Sequence, residues 1–394
     1  MRALDSIASI GDLRDAARRA LPRFVFDYVD GGAEDESASR RSREAFDRIE
    51  IAPRALRDVS ARSTRCTLFG REWAAPFGIG PTGLAGLTRP GADLLLSSAA
   101  RDAGVPFTLS TPANSTVEDV ARQGSDHLWF QLYMPRDRAV GADLLARADR
   151  AGCRVAVLTV DVPVPGRRAR DIRNGFALPM RWTPRTLADM ALRPAWSLRQ
   201  AVGGPPRLAH WEAYARRDGV RGGSARVDDG RGAVSAESLA ALQAAQIDPS
   251  LDWDALRAVR GHWPHALLVK GVLHPEDAVR ALECGADGVV VSAHGGRQLD
   301  AAPAPVSVLP AIRAAVGASA KVLVDGGIRS GTDVARALAA GADFCLVGRP
   351  TLYGVAAFGA AGAARALAII GEGFDRAMAM AGIQEPAAWR RGAA

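Results

Sequence analysis

Short apolar runs recur along the chain, each ending on a small or polar residue. They are Phe77–Gly80, Pro106–Ser110, Leu128–Leu132, Val155–Thr159, Leu267–Lys270, Gly288–Ser292, Lys321–Asp325 and Phe344–Val347. Apolar runs of four or five residues without alternation suit strands covered on both faces, as in a parallel sheet. Segments rich in Ala, Leu and Arg, with helical spacing, lie between them, for example Pro275–Glu283 and Gly331–Ala340. Gly104, Gly152, Gly285 and Gly341 each stand after a helical segment and before a run, the place of a left-handed helix stop. Eight such βα units predict an α/β fold of the TIM (β/α)8 barrel type. An open doubly wound sheet is disfavoured, because no G-x-G-x-x-G follows the first run.

The pattern predicts one domain over residues 1–394. Residues 1–50 read as a helical segment broken at Pro22, 70–365 as the barrel, and 366–394 as a C-terminal helix and tail. The connection after the fourth strand is far longer than the others and predicts a loop excursion over 181–250. Such a long connection is usually functional or disordered. Its first part, 181–217, holds seven arginines, two acidic residues and Trp182, Trp196 and Trp211. Cationic segments with tryptophan sit well at an anionic bilayer surface; a solvated lid over the barrel mouth is the competing reading.

Charge narrows the partners. The formal net charge is +7, but the arginines are interspersed with Asp and Glu, and no basic block with interleaved aromatics appears. Nucleic acid is therefore not an expected partner. Only Lys270 and Lys321 are lysines among the 50 basic residues. Lys270, kept against that bias, points to a need for a compact ammonium, since arginine's planar fork is not equivalent, whereas Lys321 also reads simply as the first residue of a strand. The four cysteines form no C-x-x-C pair, so neither zinc nor a disulfide framework is expected, and no metal is assigned. The N-terminus lacks the apolar run of a signal peptide and no stretch of about 18 apolar residues occurs. A cytoplasmic location is the expectation.

Barrel enzymes carry their chemistry at the carboxyl ends of the strands. Reading those ends in turn gives Pro81, Thr82 and Gly83; Ser110; Gln131 and Tyr133; Thr159 and Asp161; Lys270; Ser292, His294 and Arg297; Asp325, Gly326, Gly327, Ile328 and Arg329; and Gly348 with Arg349. Gly-rich turns after the last two strands fit an anion cradle, where backbone N–H groups and an arginine meet a phosphate. Each turn alone would be unremarkable, but at consecutive strand ends they point to a phosphate-bearing cofactor or substrate. His294 stands apart from the other five histidines because it follows a strand and is flanked by glycines. A neighbouring Asp325 is the expected stabiliser of its imidazolium.

These residues resemble the FMN-dependent 2-hydroxy acid dehydrogenase and oxidase family, from about residue 21 to 382. The motifs are FDYVDGGAED (26–35), GPTGL (80–84), WFQLY (129–133), TVDVPVPGRRARD (159–171), LLVKG (267–271), SAHGGRQLD (292–300) and DGGIRSG (325–331). GPTGL, LWFQLY and RPAWSL (193–198) look most like the mandelate dehydrogenase branch. The resemblance implies FMN as cofactor and a 2-hydroxy acid as substrate. Pro81, Thr82 and Gly83 would pack against the flavin, and Ser110, Gln131, Thr159 and Ser292 would hydrogen-bond its ring or ribityl chain. Lys270 would face flavin N1, where reduction builds negative charge. Asp325, Gly326, Gly327, Ile328, Arg329, Gly348 and Arg349 would take the ribityl hydroxyls and phosphate. Arg168 and Arg297 would clamp the substrate carboxylate, Tyr28 and Tyr133 would place phenols near its oxygens, and His294 paired with Asp325 would be the base.

The resemblance also implies a quinone acceptor, contact with the cytoplasmic face of the inner membrane through 181–217, and a homo-oligomer, often a tetramer. Three positions depart from the family: Ala293 replaces the usual Asn, Pro112 a bulky Trp, and Gly83 an Ala. The last two predict a wide pocket and a large, mandelate-like acid. Electron transfer to oxygen in a soluble oxidase, a phosphate-site isomerase and a non-catalytic binding protein are the alternatives. The clamp residues and base argue against the last two.

Overall fold

Valine, leucine and phenylalanine runs that lack alternation form strands buried on both faces. A computed structural model describes residues 4–176, 183–204, 206–217 and 248–390. Its barrel strands are β3 (Phe77–Ile79), β4 (Phe107–Ser110), β5 (Leu128–Leu132), β6 (Val155–Thr159), β7 (Ala266–Val272), β8 (Gly288–Val291), β9 (Lys321–Asp325) and β10 (Phe344–Val347). They pair in parallel in chain order, and β10 closes on β3. Each overlaps its predicted run, so the (β/α)8 barrel expectation holds.

An antiparallel pair absent from the sequence reading, β1 (Cys66–Leu68) and β2 (Arg71–Trp73), precedes the barrel. Leu68 and Trp73 join Trp129, Val155, Leu268, Val290, Leu323 and Phe344 in a buried cluster inside the barrel. Trp73 meets Trp129 edge-on at 6.2 Å. The hairpin thereby plugs the amino-terminal end and leaves the carboxyl end for chemistry. A larger cluster joins the outer strand faces to the surrounding helices.

The N-terminal segment folds as α1 (Ile10–Ala20), α2 (Arg23–Asp30) and α3 (Ser37–Asp47). Pro22 separates the first two, as expected of a residue that lacks the N–H a continuing helix needs. Ser9 and Asp12 form a reciprocal capping box at the start of α1.

The excursion after β6 is not a plain loop. Helices α4 (Ala92–Asp102), α5 (Val117–Ala121) and α6 (Arg138–Arg150) follow β3, β4 and β5, α7 (Ala169–Arg173) opens the connection after β6, and the described part of 181–250 contains α8 (Pro184–Ala191), α9 (Pro194–Gly203) and α10 (Ala209–Arg217). Arg181 and Trp182 lie outside the described residues, as does 218–247. Trp196 and Trp211 face inward, at 3% and 2% exposure. The outward residues are Leu187, Leu192, Leu198 and Val202. Among the described residues no helix is long and apolar enough to cross a membrane.

Candidate active site

The carboxyl ends of the strands open onto a cavity of about 630 Å³. Its lining includes Pro81, Thr82, Gly83, Ser110, Tyr133, Arg168, Lys270, His294, Arg297, Asp325–Arg329, Gly348 and Arg349, with Tyr28 reaching in from α2. Gln131, Thr159 and Ser292 are buried at 3% exposure or less and back this lining.

His294 sits at the centre of the polar groups. Its Nε2 lies 3.2 Å from the Tyr133 hydroxyl. Its Nδ1 lies 2.9 Å from Asp161 Oδ1. The expected partner, Asp325, is instead 3.3 Å from Lys270 Nζ. The pairing with Asp325 is therefore corrected to Asp161. The physical reason is the direction of the imidazole. His294 has φ +53°, a left-handed backbone rare outside glycine, and its N–H is held by Ser292 Oγ at 3.0 Å. That turn sends the ring toward the end of β6. Gly271 makes room there, because a Cβ on it would come within 2.6 Å of the Asp161 side chain. A register shift between Lys270 and Val272 accompanies that left-handed glycine.

Electrostatics follow from this layout. Burial opposes ionisation of Asp161, but the adjoining His294, which also hydrogen-bonds it, and the Lys270 charge outweigh it and hold the carboxyl below its usual range. Burial likewise opposes the Lys270 charge, and Asp325 and Asp161 overcome it, so the ammonium persists. Burial, reinforced by the Asp161 charge, pushes the Tyr133 phenol up and keeps it protonated. Thr111, unnoticed in the sequence, orients Tyr133. It accepts the Tyr133 N–H at 3.0 Å and donates to the Gln131 carbonyl at 2.7 Å.

The carboxylate clamp assembles around Tyr28. Arg168 and Arg297 lie 5.1 Å and 5.0 Å from its ring centroid. Arg297 also donates to the backbone carbonyls of Tyr28 (2.7 Å) and Gly31 (3.0 Å). Burial and the nearby Arg168 pull Arg297 down to about 10, a cost that an arriving anion would relieve. Asp171, which the sequence reading passed over, also lines the cavity, with Oδ2 3.1 Å from Arg168 Nε.

The residues fit a flavin nucleotide. Ser110 donates to Gln131 Oε1 at 2.8 Å, which leaves the Gln131 amide nitrogen buried without a partner. Thr159 Oγ1 and Asp325 Oδ1 are buried and partnerless too. A buried polar group left unpaired costs roughly 1–3 kcal/mol, so these three atoms at the strand ends suit ligand atoms; Asp161 Oδ2 and Asp171 Oδ2 at the same mouth also lack a hydrogen-bond partner. The anion cradle is narrower than expected. The Arg329 and Ser330 N–H groups are taken by Asp333 at 2.8 Å and 3.0 Å. Arg349 donates to the carbonyls of Val29, Gly31 and Gly295 and so ties the N-terminal segment down. What remains for a phosphate is the Gly326–Ile328 turn, the Arg329 guanidinium, and the start of the helix Arg349–Phe358, where Gly348 provides no side-chain cap.

Gly83, Pro112 and Trp211 also line the cavity. A Cβ on Gly83 would come within 2.8 Å of Pro112 Cγ, so the two departures from the family pattern pack on each other. Trp211 of α10 completes this side of the lining. His210 fixes its place: its Nδ1 lies 3.0 Å from the Thr111 carbonyl, and its Nε2 accepts the Val117 N–H at 3.0 Å. Burial pushes His210 down to about 4. The unfolded chain takes up this proton near its ordinary value of about 6.5, whereas the folded chain resists it. The stability from neutral His210 is thus complete above 6.5 and lost as pH falls toward 4, by about 3 kcal/mol. Chemical denaturation at pH 7.5 and pH 5 should show less acid destabilisation in His210→Gln than in the wild type.

A parallel barrel whose mouth joins an anion cradle to a histidine, a carboxylate and two arginines defines an enzyme that binds a phosphate-bearing cofactor and acts on a carboxylate. The chain matches the FMN-dependent dehydrogenase family over residues 17–393, and it belongs to that family. It is 41% identical to (S)-mandelate dehydrogenase of Pseudomonas putida, over 96% of this chain and 91% of that one. It is 42% identical to L-lactate dehydrogenase of Caulobacter vibrioides, over 97% and 96%. The crystal structure of the monotopic membrane protein (S)-mandelate dehydrogenase superposes with a TM-score of 0.89 at 41% identity, covering 98% of both chains. The protein is thus an FMN-dependent oxidoreductase that oxidises a 2-hydroxy acid.

Proposed function

We propose that the substrate is (S)-mandelate or a 2-hydroxy acid of similar bulk, with His294 as the base. The observation that carries this reading is the convergence of His294, Tyr133, Arg168 and Arg297 on one cavity that Gly83, Pro112 and Trp211 also line. Gly83 and Pro112 carry less side-chain bulk than the family's Ala and Trp, which suits an aryl group, and the 41% identical relative is a mandelate dehydrogenase. FMN, when bound, supplies the two-electron acceptor. The protein's own part is as follows. Arg168 and Arg297 hold the carboxylate in a planar, charge-assisted grip. Tyr133 and Tyr28 present phenols to the substrate oxygens. The His294 Nε2 takes a proton, and ionised Asp161 stabilises the imidazolium that results. Lys270 offers fixed positive charge beside the ring site. Gln131, Thr159 and Asp325 would satisfy their orphaned atoms on the cofactor, and Arg329 with Gly348 would hold its phosphate. The same base serves whether the α-carbon or the hydroxyl loses the proton.

The reading extends to a peripheral membrane location and a quinone acceptor. Leu187, Leu192, Leu198 and Val202 are exposed large apolar residues on α8, α9 and the turn between them, and the matching crystal structure is that of a monotopic membrane protein. The test is anaerobic bleaching of the oxidised flavin band. We expect kcat/KM for (S)-mandelate to exceed that for glycolate by at least about 10-fold. Faster turnover of glycolate would overturn the substrate. In parallel, co-sedimentation with anionic vesicles should be lost in Leu192→Asp/Val202→Asp; unchanged pelleting would overturn the membrane face.

A further inference from the structure

Tyr28 reaches the cavity from α2, an element outside the barrel. The clamp can work only if that helix is held in register with strand ends far away in sequence. We propose that Arg170 is the residue that positions it, a role separate from that of its neighbour Arg168 and resting on the reading of Tyr28 as a substrate-contacting phenol. Arg170 lies on α7, at the start of the excursion. Its Nη1 is 3.0 Å from Asp30 Oδ2 and 3.3 Å from Asp27 Oδ1, and its Nη2 is 2.5 Å from Glu36 Oε2. Asp27 and Asp30 stand one helical turn apart, on one face of α2, and bracket Tyr28. Glu36 follows the Gly31-Gly32 turn. One guanidinium therefore gathers three carboxylates from both sides of the residue that carries the phenol.

The approach is tight. A Cβ on Gly31 would come within 2.6 Å of the Asp27 carbonyl and 3.4 Å of Arg170 Cδ. Asn174, one turn further along the chain, donates to Asp27 Oδ2 at 2.8 Å. Asp30 is also bound by Arg14 at 2.6 Å and by the Tyr353 hydroxyl at 2.7 Å, so it stays anchored without Arg170. Asp27 keeps Asn174 and Arg23 as partners, so the Glu36 carboxylate is the group that would be released. Arg297 would still hold the carbonyls of Tyr28 and Gly31, and Arg349 those of Val29 and Gly31, which keeps the chain end in place. What Arg170 adds is the tie between α2 and Glu36 across the Gly31-Gly32 turn, and through it the aim of the Tyr28 ring between the two clamp arginines. A lysine at 170 would keep the charge but could not span three carboxylates at once.

A double-mutant cycle on kcat/KM tests this, with the binding of oxalate, read from the flavin spectrum, as a second measure. Arg170→Gln should lower kcat/KM about 10- to 100-fold and weaken oxalate binding in parallel, because a displacement of about 1 Å has that scale of effect. Arg170→Lys should fall between it and the wild type. On a Tyr28→Phe background, Arg170→Gln should add less than about 3-fold, since pairs acting through one group do not add. Losses that multiply in the double variant would overturn the proposal. A Tyr28→Phe variant that loses nothing would instead overturn the role of the phenol itself. If Arg170→Gln does not fold, Arg170→Lys enters the same cycle with the same criteria.

Discussion

His294→Gln is expected to lower kcat by about 10²- to 10⁴-fold, the usual worth of a positioned general base, while FMN content and oxalate binding change little. The prediction rests on geometry. The Nε2 edge faces the cavity beside Tyr133, and the Nδ1 edge is engaged by Asp161 at 2.9 Å. Glutamine can offer a hydrogen bond but no basic nitrogen. The same experiment decides the carboxylate. Asp161→Asn should reproduce much of the loss, because the imidazolium would lose its counter-charge. Asp325→Asn should act chiefly on the cofactor site, through Lys270 at 3.3 Å. Rapid mixing under anaerobic conditions, following flavin reduction, separates the two. Equal kinetic defects without loss of FMN in the Asp325 variant would contradict the pairing seen here.

The second large effect is expected at Arg297. Replacing it by methionine should lower kcat/KM by on the order of 100-fold, with weaker binding of oxalate, since truncating one partner of a buried, hydrogen-bonded charge pair costs about 2–5 kcal/mol. Arg297→Lys should recover only part of this, because a point charge cannot grip a carboxylate in two places. Arg297 also donates to the carbonyls of Tyr28 and Gly31, so a loss of stability of about 1–3 kcal/mol should accompany the methionine variant. Steady-state kinetics and thermal unfolding of the holoenzyme measure both. A variant with unchanged KM and oxalate affinity would remove Arg297 from the clamp.

Much of the architecture was legible beforehand because buried parallel strands need continuous apolar runs, and those runs stand out against Ala- and Arg-rich helices. The strand ends then delivered their polar residues to one mouth, and every cavity-lining residue expected there is found at it or directly behind it. The hairpin Cys66–Trp73 was missed because three-residue strands carry too little pattern. The helices of the excursion were missed because its Gly, Pro and Arg content masks short amphipathic turns. Trp196 and Trp211 were read as surface groups, yet Trp196 donates to the Leu87 carbonyl at 2.9 Å and Trp211 walls the cavity. A tryptophan's chemistry is the same in a bilayer face and in a core, so composition alone does not separate them.

By itself, the amino-acid sequence determined which groups are present at the barrel mouth and that they suit FMN and a carboxylate, since strand ends and glycine turns are local properties of the chain. Tertiary structure alone decided which carboxylate serves the histidine, which backbone N–H groups stay free for an anion, and that the excursion supplies a wall. Those outcomes depend on side-chain direction across strands distant in sequence. A turn of one left-handed residue at 294 is enough to choose Asp161 over Asp325.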